Sequence, residues 1–137
     1  MALFVSKFAQ YIQPLGRQQG KRSIGVLGHK EVHNILANMA LYHRTPFSLL
    51  PLDSSKALMH SDVLFFGKGA VKSFQRLVHK SRRETLLITS APKLLDQGAD
   101  VSFYCEGDKL KFYISRKNIE TKGLEVGKEL SYMATWI

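Results

Sequence analysis

The sequence predicts an α/β fold: a three-layer domain with a mainly parallel sheet flanked by helices and a C-terminal antiparallel hairpin extending that sheet. Up to about residue 90, short apolar runs alternate with segments whose apolar residues recur every three or four positions. That alternation is typical of parallel strands joined by right-handed helical crossovers. After residue 100 the apolar residues alternate every two positions instead, which indicates paired antiparallel strands.

The first part of the chain contributes two helices around one strand. The stretch ALFVSKFAQYI has apolar residues at helical spacing, and Pro14 and Gly16 then end the helix. The run SIGVLG is typical of a short strand buried on both faces, and an amphipathic helix follows from residue 29 to about residue 43. The residues predicted to face the core are Leu3, Phe4, Phe8, Tyr11 and Ile12 in the first helix and Val32, Ile35, Leu36, Met39 and Ala40 in the second.

Three further strands and one helix follow. FSLLPLD predicts a second strand, placed toward an edge because Pro51 cannot donate a ladder hydrogen bond. SDVLFFG predicts a third, fully buried strand, and TLLITSAP a fourth. Between these two, AVKSFQRLVHK predicts a helix whose inward residues are Val71, Phe74, Leu77 and Val78.

The C-terminal part begins with a hairpin. DVSFYCEGDKLKFYIS has two alternating runs around a Gly-Asp turn, and Cys105 falls on the apolar face of the first run. We therefore expect Cys105 to be a small core residue. A short helix that stops at Gly123 and a last helix bearing Leu130 and Met133 complete the chain.

Length, charge and cysteine content limit the possible functions. At 137 residues the chain is expected to be one domain, residues 1–137, which folds without disulfides or metals. Twenty Lys and Arg against eleven Asp and Glu give a net charge of +9, which favours an anionic partner. Cys105 is the only cysteine, so no intrachain disulfide forms. No apolar run approaches the ~20 residues of a membrane span, and no signal-peptide cleavage pattern precedes the domain.

Basic residues cluster on the predicted helix near residues 70–80. Three of them repeat every four residues opposite the apolar stripe. The residues expected to share a positive surface are Lys72, Arg76, Lys80, Arg82, Arg83, Arg17, Lys21 and Arg22. Such a surface is either simply solvated or a docking site for an acidic protein partner. The candidate partner-binding residues are Lys72, Arg76, Lys80 and Arg83.

A second candidate site lies where the parallel strands end. A glycine after a buried strand, followed by a helix start, presents free N–H groups and a positive dipole end to an anion. Ligands of parallel sheets bind at this carboxyl edge, so the candidate ligand-binding residues are Gly28, His29, Gly67 and Ser90. GVLGHKEVHN lacks the G-x-G-x-x-G spacing, and no dinucleotide or other cofactor is predicted.

Neither a metal site nor an enzyme is predicted. His29 and His33, four residues apart, could offer two imidazole nitrogens to zinc. HKEVH, however, has Lys30 where a zinc-peptidase helix has Glu, and no third ligand is identified. Ser90 lacks the glycines of a nucleophile elbow. No residue is therefore assigned a catalytic or metal-binding role.

Binding of nucleic acid is the alternative explanation for the positive charge. Tyr104 and Tyr113, with Lys109 and Lys111 beside them, resemble a base-stacking platform on the hairpin. Ordinary cross-strand Tyr and Lys pairs explain the same pattern. No helix-turn-helix, zinc-finger or RNP-like motif accompanies it, so nucleic acid is not the expected partner.

The chain also resembles a known family. The segment LLITSAPKLLDQGADVSFYCEGDKLKFYISRKNIETKGLEVGKELSYMA is similar to the end of the YfiR family, in which an apolar strand, a Gly-Gly turn, a hairpin and Gly-Leu-x-x-Ser-x-x-Leu-Leu follow in order. KFAQYI falls where the family has its first helix, and VLG at 26–28 and VLFF at 63–66 fall at two strand ends. The resemblance covers residues 3 to 134.

The resemblance implies a non-enzymatic, exported regulator residing in the bacterial periplasm. Such a protein binds the periplasmic sensor region of a membrane-bound diguanylate cyclase and holds it inactive, and its release raises cyclic di-GMP and favours biofilm growth. The resemblance further implies an outer-membrane lipoprotein as a second partner and a homodimer. The alternative, which rests on the residues themselves, is a small-ligand or nucleotide sensor that uses the carboxyl edge of the sheet.

The chain departs from the family pattern at several positions. Where the family often has two cysteines that bridge neighbouring strands, this chain has Gly25 and Ser61, so redox control through that bridge is excluded. Ala99 replaces the second glycine of the Gly-Gly turn, and that backbone position must therefore accept a Cβ. Ser115 replaces the Asn that closes the hairpin, and Gly127 replaces the Ser that would cap the last helix.

Overall fold

The structure is a computed structural model that describes residues 1–16, 20–43, 45, 47–54 and 60–137. Its strands are β1 (Ile12–Pro14), β2 (Arg22–Leu27), β3 (Phe47–Leu49), β4 (Val63–Phe66), β5 (Leu86–Thr89), β6 (Val101–Glu106), β7 (Lys109–Ile114), β8 (Leu124–Val126) and β9 (Thr135–Trp136). Its α-helices are α1 (Ala2–Tyr11), α2 (Lys30–Tyr42), α3 (Val71–Leu77), α4 (Arg116–Lys122) and α5 (Lys128–Met133). Short 3-10 helices are η1 (Lys68–Ala70), η2 (Val78–Lys80) and η3 (Pro92–Gln97).

A seven-stranded sheet in the order β3-β2-β4-β5-β6-β7-β9 forms the centre of the molecule. Strands β3, β2, β4, β5 and β6 run parallel, whereas β7 is antiparallel to β6, and β9 is parallel to β7. The predicted α/β fold, mainly parallel with a C-terminal hairpin, is confirmed. The strand FSL lies at an edge of the sheet, as Pro51 indicated.

Helices cover both faces of this sheet, because successive side chains of a strand point to opposite sides. Every residue of β4 is buried. Phe65 belongs to the core that includes Phe8 of α1, whereas Leu64 and Phe66 belong to the core that includes Phe74 of α3. A strand covered on both faces reads as a continuous apolar run, which is why VLFF shows no alternation.

Phe8 fixes α1 to the hairpin. Its ring centroid lies 5.6 Å from that of Phe103 in β6 and 4.9 Å from that of Phe112 in β7, the second pair edge to face. The ring of Phe4 lies 5.4 Å from that of Phe112 as well. Aromatic pairs at these distances add to the large apolar area that each ring buries. The parallel sheet and the hairpin are therefore covered by one helix.

The predicted inner faces of the helices were wrong at four positions. Leu3 is 59% exposed, and Tyr11, Ile35 and Ala40 are exposed as well. The buried residues of α1 are Ala2, Val5, Ser6, Phe8 and Ala9. Small side chains let a helix approach the sheet, so Ala2, Ser6 and Ala9 share the inner face with Phe8 while Leu3 and Tyr11 lie outside it.

Cys105 is exposed and is not the core residue that the alternation predicted. It pairs with Leu110 close to the hairpin turn. Phe103 and Phe112, which face each other two residues nearer the centre of the sheet, are 1% exposed. Burial on the apolar face of the hairpin therefore ends before its tip, although the alternation continues.

Two small pairings were not predicted. Strands β1 and β8 form a separate antiparallel ladder that places Ile12 opposite Val126. Strand β9 joins β7, with Trp136 opposite Ile114. Strands of two or three residues carry no measurable periodicity, so only the position of the partner strand defines them.

The residues that depart from the family pattern are accommodated without strain. Among the described non-glycine residues only Asp53 has a positive φ, 57°, so Ala99 accepts its Cβ in an ordinary backbone conformation. Ser115 caps α4 by accepting a hydrogen bond from the Asn118 N–H at 3.3 Å. A Cβ at Gly127 would lie 3.0 Å from the Cβ of Tyr11, so close packing favours glycine there.

Positions 25 and 61 are too far apart for the disulfide that the resemblance suggested. Gly25 lies opposite Leu64, so Ser61 is displaced by three residues along the paired strands. That displacement alone is about 10 Å. Bridged cysteines have Cα atoms less than about 7 Å apart. Cysteines at these two positions would therefore not bridge in this register.

Arg22 was expected on a positive surface, but it is buried. Its guanidinium donates hydrogen bonds to the carbonyl oxygens of Ala9, at 3.0 Å, and Ile12, at the end of α1. A cation at a helix C-terminus satisfies free carbonyls and complements the helix dipole. Arg17, from the same predicted surface, lies outside the described residues, and Lys21 is exposed.

Asp62 joins β2 to β4 beside that arginine. Its Oδ2 accepts from the Ser23 N–H at 2.9 Å, and its Oδ1 pairs with Arg82 at 3.0 Å. Burial opposes ionisation of Asp62, but the Ser23 N–H, Arg22 and Arg82 outweigh burial and hold the pKa of this carboxyl below its ordinary value of 3.8.

Asp100 is the fully buried carboxylate of the sheet. Its Oδ2 accepts hydrogen bonds from the Leu87 N–H at 2.8 Å and from the Lys122 ammonium at 2.6 Å. Lys122 also donates to the Thr85 carbonyl, and the Ser115 N–H donates to the Asp100 carbonyl. Burial raises the pKa of Asp100, against the opposing effects of Lys122 and the Leu87 N–H. Asp100 therefore ties β5, the start of β6, the end of β7 and α4 together.

Within the described residues, no helix is long and apolar enough to cross a membrane.

We expect Asp100→Ala to lower the free energy of unfolding by about 3 kcal/mol, because the Leu87 N–H loses its acceptor and Lys122 its counter-charge. Denaturation in urea measures the change. Glu106→Ala is the control, since it breaks an exposed pair with Lys111 of similar length, 2.5 Å, and should leave stability unchanged. Equal effects of the two variants would contradict the role given to Asp100.

The stabilisation by ionised Asp62 should be complete above about pH 4 and be lost as the pH falls through the lowered pKa of the folded state, since the unfolded chain takes up the proton first. The difference in unfolding free energy between the wild type and Asp62→Asn should therefore be largest near neutral pH and shrink in acid. Urea titrations over a pH series test this expectation. A difference that stays constant into strong acid would show that the charge of Asp62 does not matter.

Candidate functional site

Two glycines let the loops after β2 and β4 touch. Gly28 has a φ of +70°, and a Cβ there would lie 2.6 Å from the Cβ of Ala70. A Cβ on Gly67 would overlap the carbonyl oxygen of Gly28 and lie 2.8 Å from the Cβ of His29. Only glycine fits both positions, so the two predicted site glycines are in direct contact. Their contact holds the loops after β2 and β4 together at the carboxyl edge of the sheet.

His29 is the N-cap of α2 and is not part of the helix. Its Nδ1 accepts a hydrogen bond from the Val32 N–H at 3.2 Å, and its ring packs against Phe65 with centroids 5.8 Å apart. Because Nδ1 is the acceptor, the proton of the neutral ring is on Nε2. The Nε2 of His33 lies 3.1 Å from the Leu50 carbonyl. The two histidines therefore serve different structural roles, and no group of three potential metal ligands occurs among the described residues.

Ser90 follows β5 at the same edge of the sheet. The residue is 4% exposed, and its hydroxyl has no hydrogen-bond partner among the described residues. A pocket of about 340 Å³ brings it together with two of the other predicted residues, and the residues that line this pocket are Met1, Gly28, His29, Lys68, Gly69 and Ser90. We call it the edge pocket. Gly67, the fourth predicted residue, does not line it.

Lys68 is the charged side chain of the edge pocket that sequence reasoning missed, and Met1 and Gly69 were not predicted there either. Lys68 is exposed and begins η1 directly after Gly67. Its position next to a glycine at the end of a buried strand was a usable signal, because residues that follow parallel strands meet at one edge.

A second pocket of about 340 Å³ also borders Gly28 and is lined in part by Asp53 and Arg76. The Asp53 carboxylate accepts a hydrogen bond from the Gly28 N–H at 2.8 Å. Asp53 thus holds the glycine turn through the Gly28 N–H. Arg76, predicted as a partner-binding residue, belongs to this second pocket.

The predicted basic row is only partly continuous. Lys72 and Arg76 lie in α3 and are exposed, as is Lys80. Lys80 belongs to η2, and the tighter winding of a 3-10 helix turns it roughly 60° further around the axis than an α-helix would. Arg83 donates a hydrogen bond to the Thr121 carbonyl at 3.1 Å, so it also contacts α4. No acidic residue occurs in the sequence from 63 to 83.

The tyrosines of the hairpin stack on each other. The ring centroids of Tyr104 and Tyr113 are 4.1 Å apart with an interplanar angle of 21°, and the Tyr104 hydroxyl lies 2.7 Å from that of Thr135. One face of each ring is therefore occupied by the other tyrosine. This arrangement matches the cross-strand explanation of the pattern.

A larger groove, about 660 Å³, lies away from all predicted site residues. It is formed by the end of α1, the β1–β8 ladder and α5, and Tyr11 and Tyr132 line it. Because this ladder was not predicted, the groove could not be anticipated from sequence patterns.

The model of the family described as YfiR/HmsC-like (DUF4154) matches residues 1–135. The chain belongs to the YfiR/HmsC-like family. Members of this family are generally regulatory and non-enzymatic, and the family is periplasmic. The order of short pieces along the sequence had indicated the same family, and that prediction is confirmed.

Among solved structures, the chain is similar to the crystal structure of a conserved domain protein from Vibrio cholerae O1 biovar El Tor strain N16961. The TM-score is 0.68 at 13% sequence identity, and the match covers 98% of this chain and 59% of that one. This likeness supports the fold alone, and this chain spans about three fifths of the Vibrio protein chain. A search of curated proteins returned no match.

We expect Gly67→Ala to cost about 1–3 kcal/mol of folding free energy, because its Cβ meets backbone atoms that cannot move aside cheaply. Gly28→Ala should cost at least as much, since crowding adds to the strain of its positive φ. Urea denaturation measures both.

Gly107→Ala in the hairpin turn is the matched control for backbone strain. Its φ is +64°, and no atom lies within 4 Å of the added Cβ, so only the conformational cost of about 1 kcal/mol remains. If Gly28→Ala were no worse than Gly107→Ala, the close contact between the two loops would not be real.

Proposed function

We propose that this protein is a non-enzymatic periplasmic regulator that binds the sensor region of a membrane-bound diguanylate cyclase and represses it. Bound regulator would keep cyclic di-GMP low, and its release, for which an outer-membrane lipoprotein is the proposed competitor, would favour biofilm growth. Membership of the YfiR/HmsC-like family is the observation that carries this proposal.

The surface proposed for the partner is the basic row on α3 and η2, formed by Lys72, Arg76 and Lys80. These residues are exposed, and the surrounding sequence from 63 to 83 has no acidic residue to neutralise them. Phe74, on the opposite side of α3, is fully buried and anchors the helix on the sheet. Exposed positive charges grouped on one helix and the turn that follows it would orient an acidic partner and speed its association.

Arg83 is the weaker member of the proposed set. Its guanidinium already donates to the Thr121 carbonyl of α4, so a substitution there would alter packing as well as charge. Lys80 is the cleaner position, because no hydrogen bond or ion pair of its side chain is found among the described residues.

Deleting the gene is expected to raise cellular cyclic di-GMP, and exporting the wild-type protein to the periplasm should restore the low level. The double variant Arg76→Glu, Lys80→Glu should fail to restore it, because reversed charges repel an acidic partner surface. Cyclic di-GMP in cell extracts is the measurement, with thermal unfolding of each purified variant to establish that the fold is intact.

Lys128→Glu is the matched control, since Lys128 is exposed at the start of α5, where an acidic residue suits the helix dipole. It should restore repression fully. With the purified cyclase sensor region, the double variant should associate about tenfold more slowly at low salt, and the difference should shrink as salt is added. An unchanged level of cyclic di-GMP after deletion of the gene would contradict the proposed regulatory function itself.

A further inference from the structure

We propose that the edge pocket binds a small oxyanion, a carboxylate or a phosphate, through the N-terminus of α2, the ammonium of Lys68 and the hydroxyl of Ser90. The pocket lies between the loops that follow β2, β4 and β5. This inference does not rest on the proposed regulatory function, since it concerns groups within this chain alone.

The first group of donors is the start of α2, a helix of 13 residues. In its first turn the Val32 N–H is capped by His29 Nδ1, and the His33 N–H donates to the His29 carbonyl at 3.2 Å. The N–H groups of Lys30 and Glu31 are the ones that such a cap leaves for a ligand. The positive end of the helix dipole points the same way.

The second and independent observation is Ser90. Its side chain is buried at the pocket wall, and its hydroxyl has neither donor nor acceptor among the described residues. Buried hydroxyls are nearly always hydrogen-bonded in folded proteins. An oxyanion in the pocket would accept the hydroxyl proton, which accounts for a polar atom that the fold itself does not use.

Charge and size define the ligand class. Lys68 supplies a full positive charge, and no acidic side chain is found among the described residues that line the pocket. Asp53 accepts a hydrogen bond from the Gly28 N–H and lines the neighbouring pocket, not the edge pocket. A volume of about 340 Å³ is at the low end for ligand sites, which suits one small molecule and not a dinucleotide.

The test is a titration of the full chain with inorganic phosphate and, separately, with acetate, at constant ionic strength kept with sodium chloride. Calorimetry gives the dissociation constant, and thermal unfolding gives the stabilisation by ligand. We expect saturable binding of at least one probe. Binding of phosphate alone assigns a phosphate site, of acetate alone a carboxylate site, and of both a general oxyanion site.

Matched variants decide whether the edge pocket is responsible. Lys68→Gln should raise the dissociation constant about tenfold, since it removes a charge-assisted hydrogen bond. Ser90→Ala should raise it by a smaller factor without harming stability, because it removes a hydroxyl that has no partner. Lys72→Gln, one turn further along and outside the pocket, removes the same charge and should change nothing.

Backbone amide shifts provide the second readout. On titration, the N–H signals of Lys30 and Glu31 should move more than those of the neighbouring α3. Absence of saturable binding by both probes would overturn the proposal. So would an equal loss of affinity in Lys68→Gln and Lys72→Gln, because that would show only general attraction of anions to a basic protein.

Discussion

The buried contact between Asp100 and Lys122 is the interaction on which the rest of the structure depends. It lies where the parallel part of the sheet meets the antiparallel hairpin, and Asp100 forms hydrogen bonds to β5, to the end of β7 and to α4. Both contacts of the carboxylate are made by Oδ2, while the buried Oδ1 has no hydrogen-bond partner among the described residues, so loss of either Oδ2 contact would leave the charge poorly compensated. Its burial costs free energy, which the raised pKa reflects. What such a group contributes is a unique arrangement more than stability.

The apolar side chains of the strands then determine on which face of the sheet each helix packs. Phe65 turns to one face and Phe66 to the other, so α1 and α2 pack on the first side and α3 and η3 on the second. Phe8 then joins α1 to the hairpin through Phe103 and Phe112. Arg22 closes the end of α1 from β2, so that a charged side chain becomes part of the interior.

The two proposed functional surfaces follow from this packing at different places. Direct contact between Gly28 and Gly67 brings the loops after β2 and β4 together, and the edge pocket forms above them. The basic row is exposed because Phe74, on the opposite side of α3, is buried in the core. Gly28 lines both the edge pocket and the second pocket, and Arg76 of the basic row lines the second, so the two proposed surfaces are neighbours.

The sequence by itself determined the fold class, the order of the main strands along the chain and the helix starts, because these depend on local periodicity and on glycine and proline. The family was indicated by the resemblance of short segments that follow one another in a fixed order. It also placed Gly28, His29 and Ser90 at one edge, since residues after parallel strands must meet there. Tertiary structure alone decided the rest. Whether Arg22, Cys105 and Leu3 are buried depends on what other elements cover them, and strands such as β1, β8 and β9 exist only through a partner distant in the chain. Periodicity shows which side of a helix or strand is apolar, but it does not show which other element of the fold packs against that side.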